Sequence, residues 1–172
     1  MGDEFIGVNM HEFREEYKEN KCVIKIERND GSYLKEPYML LNLERYCNHN
    51  NLSGLSHCDF IYVFHKDKEV QVFLVELKYI RDPKRWNIKS ILDDIINNKF
   101  PQTQNIILPK ILKFLNVKSA KSYGVLVLPK DCLNKIGALL SHFKSKLAVL
   151  KRRGFEDAWI VNCGDSIWNR TL

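Results

Sequence analysis

The sequence predicts an α/β domain in which a mixed central sheet is flanked by helices. Strand-like and helix-like segments alternate along the second half of the chain, which is typical of this class. Central segments are apolar at nearly every position, as expected for strands that are covered on both faces. A chain of 172 residues can bury a substantial core, so we interpret residues 1–172 as one domain.

The first third of the chain contains a predicted helix, a predicted strand and an ambiguous segment. A capping box opens a helix over residues 9–20. Residues 22–28 have the composition of a strand, and an Asn-Asp-Gly turn signal follows them. Residues 37–46 fit either a helix that begins at the proline or a strand, and residues 48–56 are a loop by composition.

A hairpin and a helix are predicted in the middle of the chain. Residues 58–65 and 69–80 are rich in the β-branched and aromatic residues that favour strands. Asp82 and Pro83 fit the N-cap and the first position of a helix that ends near Lys99. The inward face of this helix would consist of Ile88, Ile91, Leu92, Ile95 and Ile96.

Two helices and two strands are predicted in the remaining residues. Two prolines punctuate a helical stretch over residues 102–116, and residues 122–128 form a short buried strand. Asp131 caps a long helix that ends at a Lys-Arg-Arg-Gly sequence, and residues 155–163 form a last strand. The inward side chains of the long helix would be Leu133, Ile136, Leu139, Leu140, Phe143 and Leu147.

The hairpin between Asp59 and Lys78 carries the residues of chemical interest. Closing it at a two-residue loop, Asp67-Lys68, places Asp59 directly opposite Glu76. Lys78 shares their face because side chains alternate along a strand. Buried charges are expensive and facing carboxylates repel each other, so a divalent cation such as Mg²⁺ would stabilise this arrangement. The alternative is an ordinary ion pair between Glu76 and Lys78 at the end of a strand.

The motif Asp59, then Glu76-Leu77-Lys78 after a hairpin and before a helix, resembles the PD-(D/E)xK nuclease superfamily. This group includes restriction endonucleases and archaeal Holliday-junction resolvases. The resemblance implies a restriction-endonuclease-like fold with an αβββαβ core, which residues 9–128 fit if about 30–57 are an insertion. It implies a metal-dependent nuclease, and the small size of the chain favours a structure-selective DNA endonuclease.

The resemblance also implies a role for each residue of the motif. Asp59 and Glu76 would be catalytic ligands of Mg²⁺ or Mn²⁺, and the carbonyl oxygen of Leu77 would be a further ligand. Lys78 would be the catalytic lysine, which orients the attacking water or balances charge in the transition state.

Many members of the superfamily add a glutamate from the first helix, and some add a glutamine from the helix after the motif. Because that helix is predicted to end near Lys99, we interpret Gln102 and Gln104 as too distant to contribute. The candidate glutamates, among which the sequence does not choose, are Glu12, Glu15, Glu16, Glu19 and Glu44.

Positive charge is concentrated in the second half of the chain. Residues 1–86 carry 13 basic and 15 acidic residues, whereas residues 87–172 carry 14 and 6. This asymmetry indicates either a polyanionic partner or solvated helix faces. Arg81, Lys84 and Arg85 follow the motif directly and are candidates for contacts with DNA phosphates. The resemblance further implies a homodimer.

The five cysteines are widely spaced, and no signal peptide is recognisable, so we expect free thiols in a cytoplasmic protein. No segment is apolar over a length that would span a membrane. A zinc site built from Cys47, His49, His57 and Cys58 is a further possibility, although their spacing matches no common zinc module.

Two rival functions stay open besides catalysis. A non-catalytic nucleic-acid-binding module on the same fold would bind DNA in EDTA without cutting it. A protein-interaction subunit of a DNA-processing complex would have no affinity for DNA but a stable protein partner. The intact set of Asp59, Glu76 and Lys78 favours the catalytic interpretation.

Overall fold

The computed structural model describes residues 5–6, 38–66, 69–78, 87–130, 140–167 and 170. Its strands are β1 (Phe5–Ile6), β2 (Tyr38–Asn42), β3 (Phe60–Lys66), β4 (Glu69–Leu77), β5 (Lys121–Leu128) and β6 (Asp157–Asn162). Its helices are α1 (Leu43–His49), α2, which runs from Ile88 to Phe114, and α3 (Leu140–Arg152). This content confirms the predicted α/β class.

The six described strands form one mixed sheet in which neighbours along the chain are also neighbours in space. The pairings from β1 to β4 are antiparallel, whereas β4, β5 and β6 run parallel to one another. A parallel pair needs a crossover connection, and α2 lies in the one between β4 and β5. The carboxyl ends of β4, β5 and β6 therefore meet at the same end of the sheet.

The segment that fitted either a helix or a strand contains one of each. β2 pairs with β3, and the side chain of Asn42 then caps α1 by accepting a hydrogen bond from the Arg45 amide at 3.1 Å. β2 therefore lies beside β3 in the sheet, although it belongs to residues 30–57, which the resemblance treated as an insertion. The predicted helix over 9–20 and the predicted strand over 22–28 lie outside the described residues.

The β3–β4 hairpin has the predicted register. Phe60 pairs with Val75, and Lys66 pairs with Glu69 at the loop end. Because side chains alternate along a strand, Glu76 shares a face with Leu74, which lies in the hydrophobic core. The predictions for the last two strands are also confirmed, as β5 and β6 show.

The helix that follows the motif begins at Ile88 with Asn87 as its N-cap, not with Asp82, and it does not end near Lys99, so both predicted bounds were wrong. α2 continues through two π-helical segments, Ile95–Lys99 and Thr103–Ile107. Pro101 and Pro109 each stand second in the α-helical segment after a π segment. There the hydrogen-bond register changes, so a residue without an N–H is tolerated inside the helix.

The hydrophobic core lies between the helices and one face of the sheet. The predicted inward residues of α2 are buried there, apart from the partly buried Ile91, and Phe143 and Leu147 of α3 are buried as predicted. Leu133, Ile136 and Leu139 lie outside the described residues. α3 ends as expected at a glycine, Gly154, which has a φ of 96°.

The second face of the sheet is buried as well and carries a row of aromatic rings. The Phe73 ring stacks on Tyr123 and Tyr62 at centroid distances of 5.1 Å and 5.8 Å. Trp159 meets Phe73 edge-on at 5.8 Å, and the Arg170 guanidinium lies over Trp159 at 4.1 Å. β4 is therefore a central strand with both faces covered, which makes any charge on it costly.

The bonded state of the cysteines differs in part from the prediction. Cys47 and Cys58 are free and buried, as expected. Cys163 is disulfide-bonded, so the expectation of free thiols throughout was wrong. Cys163 lies just after β6, and its backbone amide donates a hydrogen bond to the carbonyl of Leu128 at 2.8 Å. No helix in the described ranges combines the length and apolarity of a membrane span.

Candidate functional site

Glu76 is a fully buried carboxylate near the carboxyl end of β4. Its side chain has no exposed surface and points to the helical face of the sheet. Two lysines contact the same oxygen: the Lys78 ammonium lies 2.9 Å and the Lys99 ammonium 2.5 Å from Oε1. The other oxygen, Oε2, is buried and has no hydrogen-bond partner among the described residues. Oε1 thus contacts two ammonium groups, whereas Oε2 contacts neither of them.

Asp59 stands just before the first ladder pair of β3. Its amide donates to the carbonyl of Val75 at 3.1 Å, so the backbone here departs from the regular register of the hairpin. Its carboxylate oxygen Oδ2 accepts a hydrogen bond from the Leu77 amide at 2.6 Å. The carboxylate of Asp59 is thereby held beside the residue that follows Glu76, and the hairpin brings both acids of the motif to the same strand end.

Lys99 reaches the site from α2, and the sequence did not identify it. It ends the first π segment, and the hydroxyl of Thr103, one turn later, donates to the Lys99 carbonyl at 2.7 Å. The same hydroxyl accepts from the Cys58 amide at 3.0 Å. Thr103 thus ties α2 to the residue before Asp59. The available signal was a lysine on an otherwise apolar helix face, which the predicted helix end at Lys99 concealed.

The two glutamines that seemed too distant do lie on α2, but both are engaged elsewhere. The Gln102 side-chain oxygen accepts from the Ser56 amide at 3.1 Å. Gln104 donates its side-chain amide to the Ser122 hydroxyl at 3.0 Å, at the amino end of β5. Gln102 therefore supports the loop that leads to Asp59, whereas Gln104 is directed to the opposite end of the sheet.

The Cys58 thiol lies within the electric field of these charges. Burial raises its pKa well above the ordinary value of 9.0, and the negative charge of Glu76 raises it further. A hydrogen bond with Thr103 lowers it, the charge of Asp59 raises it and the charge of Lys99 lowers it. The charges of Asp59, Glu76 and Lys99 thus all act on the Cys58 thiol, whose raised pKa keeps it neutral.

The donor set fits Mg²⁺ or Mn²⁺ better than zinc. Asp59 and Glu76 offer carboxylate oxygens, and the unpartnered Oε2 of Glu76 is a buried acceptor for a cation. Mg²⁺ commonly uses one or two carboxylates together with waters. No group of three or more His, Cys, Asp or Glu side chains that could hold a metal occurs within the described ranges. Cys47, His49, His57 and Cys58 therefore do not form the zinc site considered above.

Several residues that the sequence or the resemblance suggested are not brought to this site. Glu44 lies in the first turn of α1 and is exposed. Arg81, Lys84 and Arg85, the candidates for phosphate contacts, lie outside the described residues. The other candidate glutamates, Glu12, Glu15, Glu16 and Glu19, also lie outside them.

Comparison with known proteins adds no family to this geometry. No protein-family model, curated protein or solved structure matches the chain. The functional argument therefore depends on the site itself.

Proposed function

We propose that this protein is a metal-dependent nuclease that hydrolyses phosphodiester bonds, with structured DNA as its substrate. The observation that carries the proposal is the buried Glu76, which has two lysines on one oxygen and no donor on the other. A buried carboxylate with an unsatisfied oxygen on a central strand costs stability. Such an arrangement is expected where a site serves chemistry instead of stability.

The position of the site supports the proposal. Glu76 stands near the carboxyl end of β4, beside the parallel strand β5. In open α/β sheets, ligands bind outside the carboxyl ends of the parallel strands. Lys78 and Lys99 are about one-fifth exposed, with 23% and 22% of their side-chain surfaces open to solvent. A phosphate group could therefore approach these two side chains although Glu76 itself is buried.

The residues of the site have distinct roles in the proposed reaction. A divalent cation held by Asp59, Glu76 and the Leu77 carbonyl would supply a water of lowered pKa as the nucleophile. The Leu77 amide fixes the carboxylate of Asp59 through their 2.6 Å hydrogen bond. Lys78 holds a non-bridging oxygen of the scissile phosphate and balances the charge that develops there. The core residues that surround Glu76 keep bulk water away from its carboxylate.

A non-catalytic nucleic-acid-binding module is the second candidate, and one observation favours it. Asp59, Glu76, Lys78 and Lys99 together have no net charge, so the site is electrically balanced without a metal ion. Such a site could bind a phosphate through its lysines and leave the bond intact. This protein would bind DNA equally well with Mg²⁺ and with EDTA.

The deciding experiment is cleavage of labelled linear, flap, single-stranded and four-way-junction DNA in Mg²⁺ or Mn²⁺ against EDTA. We expect metal-dependent cutting by the wild type and a loss of about a thousandfold in Glu76→Gln, because the substitution removes the ligand charge. Glu156→Gln is the matched control, since Glu156 is an exposed acid near the amino end of β6.

The outcomes separate the two candidates. Cutting that requires the metal, is lost in Glu76→Gln and is retained in Glu156→Gln supports the nuclease. Binding of every substrate without cutting, unchanged by Glu76→Gln, supports the binding module. Neither binding nor cutting would reject both candidates.

A further inference from the structure

Lys99 is a second lysine at the site, beyond the one that the motif contains. Its ammonium approaches Oε1 of Glu76 to 2.5 Å, closer than the 2.9 Å of Lys78. The two ammonium groups share one oxygen and repel each other. An anionic oxygen from a ligand would relieve this repulsion by accepting one of the two lysines.

The attachment of Lys99 allows its ammonium to move while its backbone stays in place. Its carbonyl accepts the hydrogen bond from Thr103 at 2.7 Å, which fixes this turn of α2. Its side chain is a flexible four-carbon stem and keeps 22% of its surface exposed. Lys78 is held differently, since its own backbone amide binds the Val127 carbonyl at 3.0 Å and its stem leaves the strand directly beside Glu76.

A divalent cation and Lys99 compete for the same carboxylate. A cation at Glu76 adds two positive charges beside the ammonium groups and repels them strongly in a buried setting. A phosphate oxygen at the cation offers Lys99 a negatively charged acceptor of the kind that ammonium groups bind well. A phosphate that accepts Lys99 thus makes it easier for Glu76 to hold the cation.

We propose that Lys99 is a phosphate-binding residue that exchanges between Glu76 and a phosphate oxygen of the bound nucleic acid, so that the divalent cation and the phosphate bind cooperatively. This inference rests on the proposed nuclease function and deepens it, since it assigns a second phosphate-contacting lysine and a reason for coupled binding. By reciprocity, the cation raises the affinity for phosphate by the same factor as the phosphate raises the affinity for the cation.

The test measures binding, so it does not depend on turnover. Mn²⁺ affinity is measured by electron paramagnetic resonance of free Mn²⁺, with and without a phosphorothioate duplex, which keeps the charge of each linkage and resists hydrolysis. The variants are Lys99→Gln and Lys99→Arg. Lys110→Gln is the matched control, because Lys110 is an exposed lysine on the same helix.

We expect the duplex to tighten Mn²⁺ binding by the wild type by about tenfold, a typical coupling between two sites. In Lys99→Gln, Mn²⁺ alone should bind about tenfold more tightly than in the wild type, because its competitor is gone, and the duplex should add less than about twofold. Lys99→Arg should retain the coupling, and Lys110→Gln should match the wild type in both measurements.

Other outcomes overturn the inference in distinguishable ways. If the wild type cuts DNA but binds Mn²⁺ equally with and without the duplex, the nuclease proposal stands and the role of Lys99 is rejected. If a folded Lys99→Gln variant binds Mn²⁺ with unchanged affinity, the role of Lys99 is likewise rejected. Wild-type protein that neither cuts DNA nor binds Mn²⁺ would reject the proposed function and this inference together. The wild-type coupling needs no variant, so a Lys99→Gln protein that fails to fold does not prevent the test.

Discussion

Two carboxylates in this protein each contact two cationic side chains, at opposite ends of the sheet. Glu76, near the carboxyl end of β4, is fully buried, and both of its lysines share Oε1. Asp157, at the amino end of β6, is 24% exposed and divides its partners between both oxygens. Lys151 lies 3.2 Å from Oδ1, and Arg170 lies 2.6 Å from Oδ2.

The difference between these two carboxylates lies in how completely their oxygens are satisfied. The Ala158 amide also donates to Oδ1 of Asp157 at 2.9 Å, so each oxygen has a partner in water-accessible surroundings. Oε2 of Glu76 has no partner within the described part of the chain although it is buried. A complete exposed network is ordinary structural electrostatics, whereas an incomplete buried one is expensive to keep without a function.

The largest expected effect is a loss of both activity and stability at the buried network. Glu76→Gln should lower cutting by about a thousandfold and lower the free energy of unfolding by about 3–5 kcal/mol, because two ammonium groups lose the carboxylate charge that they share. Asp157→Asn should leave cutting unchanged and lower the free energy of unfolding by about 0.5–1.5 kcal/mol, the range for a lost hydrogen bond. Cleavage assays and urea unfolding measure the two quantities. Equal losses of stability would remove the distinction between the networks.

The second effect concerns the hydroxyl that connects α2 to the loop before β3. Thr103→Val leaves the buried Cys58 amide without its acceptor and should lower the free energy of unfolding by about 1–3 kcal/mol. It should also reduce cutting by about tenfold, since the turn that carries Lys99 loses its anchor.

Ser122→Ala is the matched loss of a hydroxyl at the far end of the sheet, where Ser122 accepts from Gln104 at 3.0 Å. It should cost about 1 kcal/mol and leave cutting unchanged. Equal activities of Thr103→Val and Ser122→Ala would contradict a positioning role for Thr103.

A smaller effect is the acid dependence of stability that Asp157 contributes. Burial by itself raises the pKa of Asp157, but hydrogen bonds from the Ala158 amide, Lys151 and Arg170 bring it below the ordinary value of 3.8. A carboxyl group with a lowered pKa stabilises the fold above its unfolded-state pKa and loses that contribution as the pH falls through the folded-state pKa. Between neutral pH and about pH 3, the free energy of unfolding measured with urea should fall less steeply in Asp157→Asn than in the wild type. Parallel curves would show that Asp157 is not protonated preferentially on unfolding.

The smallest effect is a change in the reactivity of one buried thiol. Burial raises the pKa of Cys47 to about 11, and it raises the pKa of Cys58 well above 9.0. Because Glu76 raises the pKa of Cys58 further, Glu76→Gln should lower it and speed alkylation of Cys58 by iodoacetamide at alkaline pH. Peptide mass spectrometry follows the reaction, and Cys47 is the internal reference. Equal acceleration at Cys47 would point to general loosening instead of a local charge effect.

Much of the fold was predictable because it depends on short-range patterns. The alternation of apolar residues and a short polar loop were enough to predict the register of the β3–β4 hairpin, which Phe60 and Val75 confirm. The helix that follows was predicted from the spacing of its isoleucines, which are buried as expected, apart from the partly buried Ile91. The strands β5 and β6 were predicted from their apolar composition.

One error and one ambiguity arose where local rules met competing local signals, and a second error concerns a contact that local rules do not predict. A proline normally ends a helix, yet Pro101 follows a π segment, and α2 continues past Lys99. The segment that contains β2 and α1 fitted both periodicities, and the cap at Asn42 divides it. The bonded state of Cys163 depends on which thiols meet in space, which spacing along the chain does not reveal.

The sequence by itself determined that Asp59 and Glu76 stand at the same end of one hairpin, because a short loop fixes the register of the two strands that it joins. It placed Asp59, Glu76 and Lys78 at the end of one hairpin. Only the tertiary structure brought Lys99 onto Oε1 of Glu76, made the Oε2 atom a buried acceptor and tied Cys58 to Thr103. These contacts join residues that are 23 to 45 positions apart, and such distances in sequence are bridged only when α2 packs on the sheet.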